Sequence, residues 1–271
     1  MGSDMRTYDC HSHIFRRDLP LAAVRRYAPA YDATAEDYLA QLDGNDISNG
    51  VLVQPSFLGT DNSYMVAALR RHPDRLRGIA VVEPDVSADV LAELNESGVV
   101  GIRLNLAGLP LPELGAPEWR KLLTWLADHR WQVEVHREVR DLAELLDPLL
   151  DGGVDVVLDH FGRPNPAKRD DDPVYQLLLA RGSTGKLWVK VSGVYRLEPG
   201  KDGQPLATHL YPKLRDALGI DHLIWGSDWP HTQNESVVDF ASTKAQLAQT
   251  VPDAAERAQV LSAAGRLFHF A

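Results

Sequence analysis

Eight short runs rich in Val, Ile, Leu and aromatic residues punctuate the chain, at 7–11, 50–54, 78–82, 99–104, 132–136, 154–160, 187–192 and 222–227. Most are continuously apolar rather than alternating, the pattern of parallel strands buried on both faces. Between them apolar positions recur at helical spacing, over 35–42, 63–72, 88–96, 118–130, 141–150, 174–180, 206–218 and 236–249, followed by 253–261 and 264–268. Strand and helix alternate to the end, and eight such repeats predict an α/β fold, a closed (β/α)8 TIM barrel. The longest irregular stretches, 15–34, 106–117 and 162–173, each follow a predicted strand. In a barrel such loops gather at the C-terminal mouth, where the chemistry sits. No sequence repeat or low-complexity segment interrupts this order.

The 271 residues match one barrel of about 250 rather than two average domains, so a single domain over 1–271 is expected. The net charge of -10 argues against nucleic acid and anionic membrane as partners. An acidic substrate would therefore need a local cluster of arginines. No apolar run approaches the roughly 18 residues of a membrane span. The first five residues lack the basic-then-apolar pattern of a secretion leader, residues 2–4 read as a cloning remnant, and the cytoplasm is the expected compartment. The single cysteine, Cys10, excludes an internal disulfide and is expected in the core.

Polar residues collect where the predicted strands end. The first ends in Asp9-Cys10-His11-Ser12-His13. Two histidines at i and i+2 on extended backbone face one side, although an HxH pair alone is weak evidence. Gln54-Pro55-Ser56 follows the second strand, and Arg103-Leu104-Asn105 ends the fourth. Glu134-Val135-His136-Arg137-Glu138 ends the fifth, and Asp159-His160-Phe161-Gly162-Arg163 the sixth. The seventh ends in Lys190-Val191-Ser192-Gly193, with Tyr195 and Arg196 just beyond, and the eighth in Ser227-Asp228-Trp229-Pro230-His231. Any one of these is as readily a strand cap as a catalyst. Histidines after strands one, five and six, together with an aspartate after strand eight, are expected to surround one mouth. A carboxylate facing imidazoles can take a proton from water, and the imidazoles, or a cation they hold, can stabilise an oxyanion. That is equipment for hydrolysis.

Other signals are blander. There is no GxSxG elbow, Walker loop or GxGxxG after a strand. Asp170-Asp171-Asp172 reads as a solvated charge run. His72, His129, His209, His222 and His269 read as solvated or capping residues. Trp225 is expected in the core, and Trp229 either there or walling the pocket.

The segments DCHSH, GIRLN, LDHFGRP, VKVSGVYR and WGSDWPHT, in this order along essentially the whole chain, resemble the amidohydrolase superfamily, and within it the lactonases related to 2-pyrone-4,6-dicarboxylate lactonase. The resemblance implies a distorted barrel in which Asp228 activates water and His11, His13 and His160 complete the catalytic set. It implies that Arg103 and Arg196 hold substrate carboxylate, and that Ser56 and Tyr27 contact substrate. Arg163 and His136 stand at strand ends and join them as candidate substrate-binding residues. The chain departs from the pyrone dicarboxylate lactonase at Leu109, where that enzyme carries a second arginine, and at His136, where it carries tyrosine. The first departure points to one anionic group on the substrate rather than two. The second leaves open whether a divalent ion, zinc or manganese, is held by His11, His13, His136 and Asp228 or whether no metal is used. The carboxylated lysine of binuclear members has no match. The expectation is hydrolysis of a small-molecule anionic lactone from aromatic breakdown. The rivals are a metal-dependent decarboxylase of a related branch, a sugar lactonase acting on neutral lactones, and a barrel that binds a sugar acid or aromatic acid without turnover.

Overall fold

The computed structural model describes residues 6–270; the leader and cloning-remnant readings of the first five lie outside them. Eight parallel strands form one sheet in the order β1 to β8. They are β1 (Tyr8–Ser12), β2 (Asn49–Val53), β3 (Leu76–Ala80), β4 (Val99–Asn105), β5 (Gln132–His136), β6 (Val156–Leu158), β7 (Leu187–Ser192) and β8 (Leu223–Gly226). Nine α-helices accompany them among the described residues: α1 (Ala35–Gly44), α2 (Ser63–Arg71), α3 (Ala88–Glu96), α4 (Pro117–Asp128), α5 (Leu142–Asp151), α6 (Pro173–Arg181), α7 (Gln204–Leu218), α8 (Phe240–Thr250) and α9 (Ala254–Ser262).

The sequence chemistry explains where several helices begin. Thr34 and Asp37 form a reciprocal capping box at α1, and Ser87 caps α3. Pro117 opens α4, where its missing N–H costs nothing. Two expected spans shift. The helix expected over 236–249 starts only at Phe240, because Asp239 and Ser242 cap each other there. The stretch 264–268 is no α-helix but begins with a 3-10 turn, Ala263–Gly265. Its residues Ala264, Leu267 and Phe268 pack with Tyr8, Cys10, Val51, Ile79, Trp188 and Ile224 in a core cluster drawn from the strands. A larger apolar layer joins the strands to the helices, with Trp225 buried in it. The triple aspartate is only partly the solvated run expected. Asp172 is buried and caps α6, and Asp170 lies 2.5 Å from His209. His209, expected to be solvated or capping, therefore hydrogen-bonds to a loop carboxylate.

Between β8 and β1 the sheet joins through backbone just past β8. The Asp228 N–H donates to the His11 carbonyl and the His13 N–H to the Trp229 carbonyl, both at 2.8 Å. Below them Asp9 accepts the Ser227 N–H at 2.7 Å, the Ser227 hydroxyl at 2.6 Å and the Tyr38 hydroxyl at 3.0 Å. Its burial pushes the carboxyl up to about 6, against which these hydrogen bonds work. The register of β1 against β2 shifts between Asp9 and Ser12, and that irregularity is where the catalytic candidates begin. No helix among the described residues is long and apolar enough to cross a membrane.

Candidate active site

Strand ends deliver the expected residues to one mouth. A cavity of about 210 Å³ is lined by His13, Ser56, Tyr27, Arg103, His136, His160, Arg163, Arg196 and Asp228, with Arg26, Asn105, Thr232 and Gln233 among the rest. All six expected substrate-binding residues line it, as do three of the four expected catalytic ones. His11 does not. It lies fully buried, its Nε2 3.6 Å from Asp228 Oδ1.

The backbone is bent to make this possible. Asp228 has φ 61° and His160 φ 50°, conformations that cost free energy and collect at functional sites. Two glycines give the histidines room. A Cβ on Gly193 would lie 2.6 Å from His160 Nδ1, and one on Gly226 would lie 2.5 Å from His11 Cβ.

Asp228 is the hub. Its Oδ2 accepts from Arg196 Nε at 2.5 Å and from the Tyr195 hydroxyl at 2.7 Å. Its Oδ1 lies 3.6 Å from His11 Nε2 and 3.7 Å from His13 Nε2, while His160 Nε2 lies 3.8 Å from Oδ2. Burial raises the carboxyl, but the Arg196 guanidinium overrides it and holds it well below the usual range. Burial lowers the three imidazoles, His13 and His160 each to about 4 and His11 well below its ordinary value, so all three are neutral at pH 7.

Neutral rings have one donor and one acceptor, and their partners choose which. His13 Nδ1 lies 2.7 Å from the Val53 carbonyl, which only accepts, so Nδ1 carries the proton and Nε2 presents a lone pair. His13 was expected to stabilise an oxyanion, either itself or through a cation held by the imidazoles; with Nδ1 protonated, its Nε2 can do so only through a cation. His160 Nδ1 meets the Ser192 hydroxyl at 2.9 Å, and His136 Nδ1 meets Asn105 Oδ1 at 3.1 Å.

Beneath His11 lies a group of charges that the strand-end reading did not anticipate. Lys190 Nζ donates to Glu134 Oε2 at 2.7 Å and to His11 Nδ1 at 2.9 Å, and lies 3.3 Å from Asp159 Oδ1. Lys190, Glu134, Asp159 and His11 are all fully buried. Arg103 sends both Nε, at 3.0 Å, and Nη2, at 2.7 Å, to Asp159 Oδ2. The arginine expected to hold substrate therefore also neutralises a buried carboxylate. Burial raises Asp159, yet Lys190 and Arg103 hold it well below the usual range, whereas Glu134 is pushed up to about 7. Glu134 pairs with Lys190, while Glu138 lies 3.7 Å from Arg163. The signal was present, since LWVKVS and QVEVH each carry a charge inside an apolar run. Trp229 does not line the cavity but stacks on Tyr38 at 5.5 Å.

Ligand atoms of His11, His13 and Asp228 lie within 4.8 Å of one another, and those of His11, Glu134 and Asp159 form a second such group. His136, expected in the metal set, joins neither. His13 suits a divalent ion, because its Nε2 lone pair is free. His11 suits one only with its proton on Nδ1, the atom that lies 2.9 Å from Lys190 Nζ and 3.3 Å from Asp159 Oδ1.

The chain is similar to several known proteins. It is 30% identical over 238 residues to a 4-sulfomuconolactone hydrolase of Hydrogenophaga intermedia, covering 83% of this chain and 75% of the relative. It is likewise 30% identical over 238 residues to a 2-pyrone-4,6-dicarboxylate hydrolase of Comamonas testosteroni, covering 82% and 76%. A crystal structure from Acinetobacter baumannii with citric acid bound, described as a probable 2-pyrone-4,6-dicarboxylic acid hydrolase, superposes with a TM-score of 0.93 at 41% identity. That alignment covers 98% of this chain and 100% of the other. The model of the amidohydrolase family matches residues 8–270, and with the barrel, the HxH pair and the strand-eight aspartate in place, the chain belongs to that family.

Proposed function

We propose that this protein is a lactone hydrolase, a cytoplasmic enzyme that opens a monoanionic lactone of the muconolactone type, from aromatic breakdown, with aspartate-activated water. The observation that carries the mechanism is the pair of acceptors at the heart of the site. His13 Nε2 and Asp228 Oδ1 stand 3.7 Å apart, each with a lone pair to satisfy. A water donating one proton to each is held with its oxygen free for attack. Asp228 takes one of those protons as the oxygen adds to the lactone carbonyl. The charge that develops on the carbonyl oxygen is met by His160, whose Nε2 carries the proton when Ser192 donates to Nδ1, and by the cavity's guanidiniums. The tetrahedral adduct then collapses, the ring C–O bond breaks, and Asp228 returns its proton to the leaving oxygen. Zinc and manganese have no part in this reading, in which His13 and Asp228 hold the water directly.

Arg103, Arg163 and Arg196 line the cavity, which supports an anionic substrate in a protein whose net charge of -10 would repel one from afar. Leu109, where the dicarboxylate enzyme carries an arginine, favours one anionic group, a carboxylate or a sulfonate. Neither nucleic acid nor membrane enters this reading. A decarboxylase is not favoured, since the relatives at 30% identity are named as lactone hydrolases. The test is a panel that pairs each anionic lactone with its neutral methyl ester or with a sugar lactone. Preferential turnover of the anions is expected; equal turnover of the neutral compounds overturns the anionic reading in favour of a sugar lactonase.

A further inference from the structure

We infer that Lys190, which does not line the cavity, is the positioning residue that makes His11 a hydrogen-bond donor and thereby keeps the HxH pair from being a metal site. The chemistry rests on what an ammonium can do. It has three protons and no lone pair, so it only donates. Lys190 is fully enclosed, with Glu134, His11 and Asp159 around its Nζ at 2.7, 2.9 and 3.3 Å. His11 Nδ1 must therefore accept, and the proton of this neutral ring must sit on Nε2, directed at Asp228 Oδ1 3.6 Å away.

The alternative is built into the same cluster. Asp159 Oδ1 lies 3.3 Å from His11 Nδ1 and has no hydrogen-bond partner of its own. Were Lys190 absent, that carboxylate would be the natural acceptor for an Nδ1–H, the usual arrangement behind a metal-bound histidine. The ring would move its proton to Nδ1, and Nε2 would present a lone pair. His11 and His13 would then both aim bare nitrogens at Asp228, with their ligand atoms already within 4.8 Å. Lys190 thus decides between two chemistries that the same two histidines can support. The present one opposes the rings, with a donor on His11 and an acceptor on His13. The donor faces Asp228 Oδ1 at 3.6 Å, just beyond hydrogen-bond distance, while the acceptor is left for water. This holds whichever lactone the enzyme takes.

Imidazole 15N spectroscopy of the protein labelled at histidine tests it directly, with His11→Asn and His13→Asn to assign the signals. In the unmodified protein His11 is expected to be protonated on Nε2 and His13 on Nδ1. The double variant Lys190→Met/Glu134→Gln removes the ammonium without stranding its carboxylate. In it His11 is expected to carry its proton on Nδ1 and, titrated with zinc, the protein is expected to take up one equivalent that the unmodified protein does not. Its kcat should fall by about 10²-fold with KM little changed, the scale of losing one preorganised donor. A His11 protonated on Nδ1 in the unmodified protein overturns the inference, as does a proton that stays on Nε2 in the double variant. If the variant does not fold, the spectrum of the unmodified protein decides alone. Failure here leaves the lactone panel untouched, so the two readings are separable.

Discussion

Arg196 Nε lies 2.5 Å from Asp228 Oδ2, so one guanidinium both lines the cavity at the barrel mouth and holds the carboxylate proposed as general base. Arg196 also donates to the Thr232 carbonyl at 3.1 Å, which anchors it across the mouth. Arg196→Met should therefore do two things. It should lower kcat/KM for an anionic lactone by about 10- to 150-fold, the worth of one hydrogen bond to a charged group, and lower it less for the neutral ester. It should also move the acid limb of the kcat/KM profile to higher pH, since the cation that depresses Asp228 is gone. Rate–pH profiles on paired substrates check both; an unmoved limb would separate Arg196 from the base.

Asp228→Asn should cost about 10²–10⁴ in kcat, the usual worth of a general base. The fold should persist, because the main-chain bond to His11 is kept and Asn tolerates the positive φ found there. Circular dichroism alongside steady-state kinetics is the measurement. A folded Asn variant with near-normal turnover would remove Asp228 from the mechanism.

Arg103→Met should behave differently from Arg196→Met. Arg103 is buried and carries both hydrogen bonds to Asp159, so its loss strands a buried carboxylate. Denaturant unfolding should show destabilisation of about 3–5 kcal/mol, the usual result of breaking a buried pair from one side. A variant of undiminished stability would mean that Lys190 alone suffices for Asp159.

His160 makes a pH prediction whose sign can be worked out. Its folded pKa, lowered by burial to about 4, lies below the ordinary 6.5. Between those values the unfolded chain binds a proton that the folded protein does not, so this contribution to stability is full above about 6.5 and is lost as pH falls towards 4. Asp9 and Glu134, raised to about 6 and 7, act in the opposite sense over an overlapping range, so the comparison must be between proteins. In His160→Asn the slope of unfolding free energy against pH from 4 to 6.5 should be shallower by up to about 1.4 kcal/mol per unit, one proton's worth. Denaturation at several pH values measures it; parallel slopes would show that His160 is not held neutral.

If Lys190 holds the His11 proton on Nε2, as inferred above, exhaustive chelation should leave lactonase activity intact. The check is elemental analysis beside assay in chelator. Activity lost and then restored by zinc or manganese would contradict the assignment.

The barrel was legible because its strands are buried on both faces and write themselves as apolar runs. Spans shifted where a local contact decided the boundary, as Asp239 with Ser242 does before α8. The lining of the cavity was legible too, since strand ends converge by geometry. What escaped was the pairing beneath it. Lys190 and Glu134 come from different strands, and sequence order does not say that they meet. Nor could the tautomer of His13 be read, because it depends on a carbonyl 40 positions away at Val53.

The bonds that join β8 to β1 have a consequence for how the enzyme comes into being. Asp9 and Ser227 are 218 positions apart, and the same seam sets the main chain of His11, His13 and Asp228. A nascent chain still lacking its last strand has His11, His13 and His160 but not Asp228. Catalytic competence is therefore a late event in synthesis, and loosening of the final strand–helix unit alone would silence the enzyme while most of the barrel stays folded. Activity, followed beside a spectroscopic probe in mild denaturant, should disappear before the bulk of the structure does.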